Sequence, residues 1–165
     1  MSPKVILISL GVFVVLIVGV AILFSSGQKP SPQANTFSAQ DADRPKAETA
    51  QTFYDMGEIK VSDVKVQDYT LKNSGTKPLQ ILNVNTSCGC TAGQIIYKGE
   101  TSKEYTMHSQ SGFVTEIAPG DSAIVRLTYR PATMPVYGVV GREVYVTTND
   151  PANPKLVFGI KAKVQ

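Results

Sequence analysis

Cys88 and Cys90 are the residues best suited to chemistry in this chain. A single glycine separates them, and residues two apart in extended chain point to the same side. Both sulfurs therefore converge while Gly89 lets the backbone bend between them. Three states fit that spacing. Two packed thiols would behave as small apolar side chains. A disulfide across one residue would form in an oxidising exterior. A soft-metal or redox site would use both thiolates, either in thiol-redox chemistry or to hold Cu(I) with Met107 or His108 as the third ligand. Spacing alone leaves the three open.

The rest of the chain offers little catalytic equipment. His108 is the sole histidine, so a zinc site built on two histidines is excluded, and its polar surroundings read as a solvated loop. The sequence has no Gly-x-Ser-x-Gly nucleophile elbow, phosphate-binding glycine loop or dinucleotide glycine pattern. Asp55, Glu58, Glu116 and Glu143 are scattered among strands and turns, where solubilising charge is their ordinary role. The expectation is a protein that is not an enzyme. Sixteen Lys and Arg against 13 Asp and Glu leave a net charge of +3, with signs alternating along the chain, so the basic face that nucleic-acid binding needs is missing and no nucleic-acid partner is expected.

The elements that must position the cysteines read as strands. After Gln51, short alternating runs are separated by Gly, Pro, Asn and Asp. Strands are expected over 52–59, 64–72, 79–86 and 95–97, then over 123–129, 143–148 and 156–164. Gln67, Tyr69 and Leu71 share one face, then Ala123, Val125, Leu127 and Tyr129, then Val144 and Val146 inward, and finally Leu156, Phe158, Ile160, Ala162 and Val164 alternate through the last strand. Residues 98–112 read as a long polar loop. About seven strands with frequent turns and no helical period predict an all-β domain over 52–165, an immunoglobulin-like antiparallel β-sandwich.

Two unlike segments precede it. Val5 to Phe24 carries no charge and matches the ~20 residues a helix needs to cross a bilayer, so residues 5–24 are expected to be a single transmembrane helix. Lys4 in the four-residue start places the N-terminus in the cytoplasm and exports the C-terminal domain. Residues 25–51 have no Val, Ile or Leu, contain Pro30, Pro32 and Pro45, and read as a flexible, disordered linker. The expected partners are the membrane, through Val5 to Phe24, and a protein or another envelope component.

Three pieces carry a family resemblance: Met56-Gly57-Glu58-Ile59, then Leu71 through Leu79 across Asn73-Ser74-Gly75, then Thr86-Ser87-Cys88-Gly89-Cys90-Thr91. Ile117-Ala118-Pro119-Gly120-Asp121 and Thr147-Thr148-Asn149 extend it. Together they resemble the bacterial family known as domain of unknown function fifteen seventy-three, over roughly Phe53 to Val164. The resemblance implies a hydin-like, immunoglobulin-type sandwich outside the cytoplasm and implies no particular chemistry. The insertion at 98–112 is longer than the resemblance leads one to expect.

Overall fold

Alternating β-branched and aromatic residues place one apolar face of each strand against its counterpart in a second sheet, and that pairing builds the domain. The computed structural model describes residues 11–17, 19–20, 34–109 and 112–165. Ten strands follow in chain order: β1 (Ala47–Glu48), β2 (Phe53–Ile59), β3 (Lys65–Asn73), β4 (Leu79–Thr86), β5 (Thr91–Tyr97), β6 (Glu100–Thr101), β7 (Thr115–Ile117), β8 (Ser122–Tyr129), β9 (Gly138–Thr148) and β10 (Lys155–Val164). One sheet has the order β1-β3-β8-β5-β6 and the other β2-β10-β9-β4-β7. A short 3-10 helix, Pro131–Thr133, lies between β8 and β9.

The expected inward faces are the core. Tyr69, Leu71, Val125, Leu127, Tyr129, Val144, Val146, Phe158 and Ile160 are all buried. Tyr69 shows how the layers are joined. Its ring packs on Phe158 of the opposite sheet at 5.2 Å, and its hydroxyl donates to the Gly159 carbonyl at 2.6 Å. Burial pushes that phenol up to about 12.

The structure departs from the sequence reading in four places. The sandwich is not wholly antiparallel, because β2 runs parallel to β10, with Phe53 beside Gly159 and Ile59 beside Val164. Side-chain alternation is the same in either direction, so period alone could not show this. Strand β9 begins at Gly138 rather than Glu143, and β5 at Thr91 rather than Ile95. Within the expected loop at 98–112, β6 pairs with β5, and Tyr105 bridges to Gly93.

The fourth departure is the linker. From Ala34 onward the segment lies on the sandwich instead of hanging free. β1 pairs with the end of β3, Pro45 is buried, and Arg44 forms an ion pair with Asp150 at 2.9 Å. Composition misled here because backbone and charge contacts hold this stretch, with little aliphatic burial. Gly75 shows how closely it packs: a side chain there would lie within 2.8 Å of the Pro45 carbonyl carbon. Residues 25–33 lie outside the described residues.

Of the expected transmembrane helix at 5–24, residues 11–17 and 19–20 are described and are helical; the remainder, with the four-residue start, lies outside the described residues. Among the described residues no helix is long and apolar enough to cross a membrane.

Candidate functional site

The Ser87–Cys90 turn carries the chain from β4 in one sheet to β5 in the other, so the cysteines sit at one end of the sandwich where the layers meet. Thr86 holds the turn closed: its hydroxyl donates to the Cys88 carbonyl at 2.9 Å and to the Thr91 carbonyl at 3.0 Å. The Thr91 amide donates to the Cys88 carbonyl at 3.2 Å, and the Arg130 amide to the Cys90 carbonyl at 2.8 Å. Ser87 ties the turn to β9 by accepting the Glu143 amide at 2.9 Å.

Of the three states, the structure has the disulfide, with Cα atoms 5.3 Å apart. The two sulfurs differ in their surroundings. Cys90 is buried, 2% exposed, whereas Cys88 is half-buried. The Cys88 sulfur accepts the Cys90 amide at 3.1 Å and lies 3.5 Å from the Thr91 hydroxyl. The Cys90 sulfur accepts Nε of Arg142 at 3.2 Å, and the same guanidinium lies over the Tyr129 ring at 5.5 Å. A cation therefore already occupies the place beside Cys90. The Tyr129 hydroxyl is buried without a hydrogen-bond partner.

Met107 and His108, expected as third ligands, are both exposed. They form the exposed tip of a turn closed by the Ser109 amide donating to the Thr106 carbonyl at 3.1 Å. Among the described residues no three His, Cys, Asp or Glu side chains are grouped to hold a metal ion. The thioether nearest the turn is instead Met134, whose sulfur is 3.7 Å from where a side chain on Gly89 would begin.

Each scattered carboxylate has its own partner. Asp55 pairs with Lys161 at 3.1 Å and Glu58 with Lys163 at 2.7 Å, while Glu116 accepts from Gln80 and Glu143 from the Tyr145 hydroxyl. The Gly57 amide and then Lys161 hold the Asp55 carboxyl below its usual range, and Lys163 does the same for Glu58.

The family model described as protein of unknown function (DUF1573) matches residues 47–164, which takes in the cysteine turn and every strand. The chain belongs to the DUF1573 family. Among solved structures, the domain is similar to a protein of unknown function from Porphyromonas gingivalis W83, with a TM-score of 0.59 and 22% identity over 80% of this chain and 53% of that one. The chain thus spans about half the length of that relative. It is also similar to part of a family 123 glycoside hydrolase from Clostridium perfringens, at a TM-score of 0.51 and 8% identity, covering 68% of this chain and 22% of that one. The ASH/PapD-like domain of human CEP192 matches at a TM-score of 0.45 and 12% identity, over 82% and 98% of the two chains. At such identities the first two likenesses show a shared fold and nothing about chemistry. No curated protein matches the chain.

Arg142 and Met134 were missed by reading the sequence. Arg142 did leave a signal: it falls on the inward parity of Val140, Val144 and Val146, where a charge needs a buried partner.

Proposed function

We propose that this DUF1573 protein is a binding module of the bacterial cell envelope, tethered by Val5 to Phe24 and displaying its sandwich outside the cytoplasm to an extended segment of a partner protein. Binding at this edge needs no cofactor and catalyses no reaction. The observation that carries the reading is the edge of β3. From Lys65 to Leu71 this strand has β8 on one side and, among the described residues, no strand on the other. Such an edge presents unpaired amides and carbonyls to any chain able to run alongside it.

The molecule uses the far end of this edge in that way itself. There β1 pairs antiparallel with Lys72 and Asn73 and then leaves. Beside the open part, Tyr54, Met56, Lys65, Val66 and Gln67 line a shallow recess between the two sheets, with Tyr54 and Val66 exposed. An added strand would find backbone partners along β3 and a recess of mixed, mainly polar lining for one side chain. The other long edge, β2, is less suited, because Gly57 interrupts it at a φ of +68° and the Gly57 amide already donates to Asp55.

The test is to select peptides from a random library against the full chain in lipid nanodiscs and to measure amide exchange with a selected peptide bound. Slower exchange within Lys65–Leu71 and unchanged exchange in β9 is the expected result. A chain that selects no peptide, or whose peptides protect other strands, overturns the reading.

A further inference from the structure

The disulfide turn is built asymmetrically, and the asymmetry has a chemical direction. Thiol–disulfide exchange proceeds by in-line attack of a thiolate on one sulfur while the other leaves as a thiolate. Cys88 is the sulfur an incoming group can reach, since Cys90 is buried. Cys90 is the sulfur prepared to leave, because Arg142 Nε already lies 3.2 Å from it and a fixed cation stabilises a nascent thiolate. The Cys88 sulfur, when it is released in turn, has the Cys90 amide at 3.1 Å and the Thr91 hydroxyl at 3.5 Å. A bridge that spans one intervening residue adds little to stability by chain closure. The arrangement is thus better fitted to exchange than to stapling.

The surroundings say what kind of thiol fits. Met134 touches the turn at Gly89, and the chain continues through Val136, Tyr137 and Val139. These four side chains are 51%, 46%, 66% and 67% exposed, an apolar run that begins at the turn with Met134. A polypeptide can cover such a run, whereas a small charged thiol gains nothing from it.

We propose that Cys88–Cys90 is a two-electron exchange site for the dithiol of a partner protein, with Cys88 as the attacked sulfur, Cys90 as the leaving sulfur and Arg142 positioning and stabilising the latter. In the first step a partner thiolate bonds to the Cys88 sulfur, the Cys88–Cys90 bond breaks and its electron pair goes to Cys90. In the second, the other partner thiolate attacks its own neighbour in the mixed disulfide and releases the Cys88 thiolate. The partner is oxidised to a disulfide, this pair is reduced, and the two protons given up by the partner's thiols are taken up by the new thiolates or by water. The proposal stands independently of the β3 edge.

The experiment uses the full chain in nanodiscs, with reduction followed by mass after alkylation. Reduced thioredoxin serves as the protein dithiol, and glutathione and dithiothreitol as small thiols. The folded disulfide is expected to be reduced by thioredoxin faster than by either small thiol at equal thiolate concentration. Arg142→Gln is expected to slow reduction roughly three- to tenfold, the response of exchange rates to a less stabilised leaving thiolate, and Arg142→Lys to recover most of the rate. A merely structural Arg142 predicts the opposite, since a loosened turn exposes sulfur and speeds reduction. Cys90→Ser is expected to trap a mixed disulfide with oxidised probe through Cys88, whereas Cys88→Ser is not. A disulfide that resists every thiol until urea unfolds the chain overturns the proposal. Equal or faster reduction by the small thiols overturns the protein partner, and trapping through Cys90 overturns the assigned direction.

Discussion

The two ends of β4 each hold a polar cluster of the sandwich, and the two are built to opposite purposes. At its start, near Leu79, Asn73, Asn149 and Asp150 are buried and every polar atom is engaged. Asn73 donates to the carbonyls of Lys77 and Ile117 and accepts the amides of Lys46 and Gly75. Asp150 accepts Arg44, Asn153 and the amides of Ala47 and Ala152. At its finish, beyond Thr86, the sulfurs have longer contacts, a tyrosine hydroxyl lacks a partner and an exposed apolar run begins at Met134. Complete satisfaction marks a region that holds the fold, whereas the longer sulfur contacts and the half-buried Cys88 leave the other end less tightly held.

The sharpest way to break this contrast is at Asp150. Asp150→Ala strands Arg44 and frees two amides, and is expected to cost about 3–5 kcal/mol, the usual effect of breaking a buried pair. In a domain of this size that lowers the melting temperature by roughly 10–20 °C, to be checked by thermal unfolding. Burial alone would raise this carboxyl. The amides of Ala47 and Ala152, the Asn153 side chain and the Arg44 charge outweigh it and hold Asp150 below its ordinary value. Because the folded value is depressed, the stabilisation is complete above the unfolded value and is lost as pH falls through the folded one. Acid titration of stability should therefore steepen below about pH 4 in the parent and flatten in Asp150→Asn.

A smaller effect is expected at Gly75, where an alanine side chain would press on the backbone of Pro45 and Lys46. Gly75→Ala should cost about 1–3 kcal/mol. It should also open the segment before β1 to protease, whereas in the parent the first cuts are expected on the N-terminal side of Pro45. Resistance of Gly75→Ala equal to the parent's would show that the segment does not depend on this contact.

At the other end, reducing Cys88–Cys90 should cost only about 1.5 kcal/mol by the loop-closure relation for so short a ring. A drop of roughly 5 °C in a reduced-against-oxidised melting comparison is the expected reading. A loss matching that of Asp150→Ala would erase the distinction between the two ends. The smallest effect belongs to the exposed bidentate pair Arg126–Asp68, at 2.8 Å on β8 and β3. Asp68→Ala should change stability by under about 1 kcal/mol, and a double-mutant cycle would measure it.

Period-two alternation depends on neighbours along one strand, and it was enough to place Tyr69, Leu127, Val144 and Phe158 in the core before any partner strand was known. The one-residue spacing likewise brought Cys88 and Cys90 together, and the motifs around them pointed to the family. What lay beyond the sequence was long range. The parallel course of β2 against β10, the docking of β1 on β3 and the hold of Asp150 on Arg44, 106 residues away, depend on segments that meet only when both sheets are closed. The same holds for the cysteines' surroundings. Residue type pointed to Met107 and His108, while Arg142 and Met134, which folding sets at the turn, left little or no mark in the sequence. Local chemistry decides which side chains share a face, while only the packing of one sheet on the other decides which of them meet.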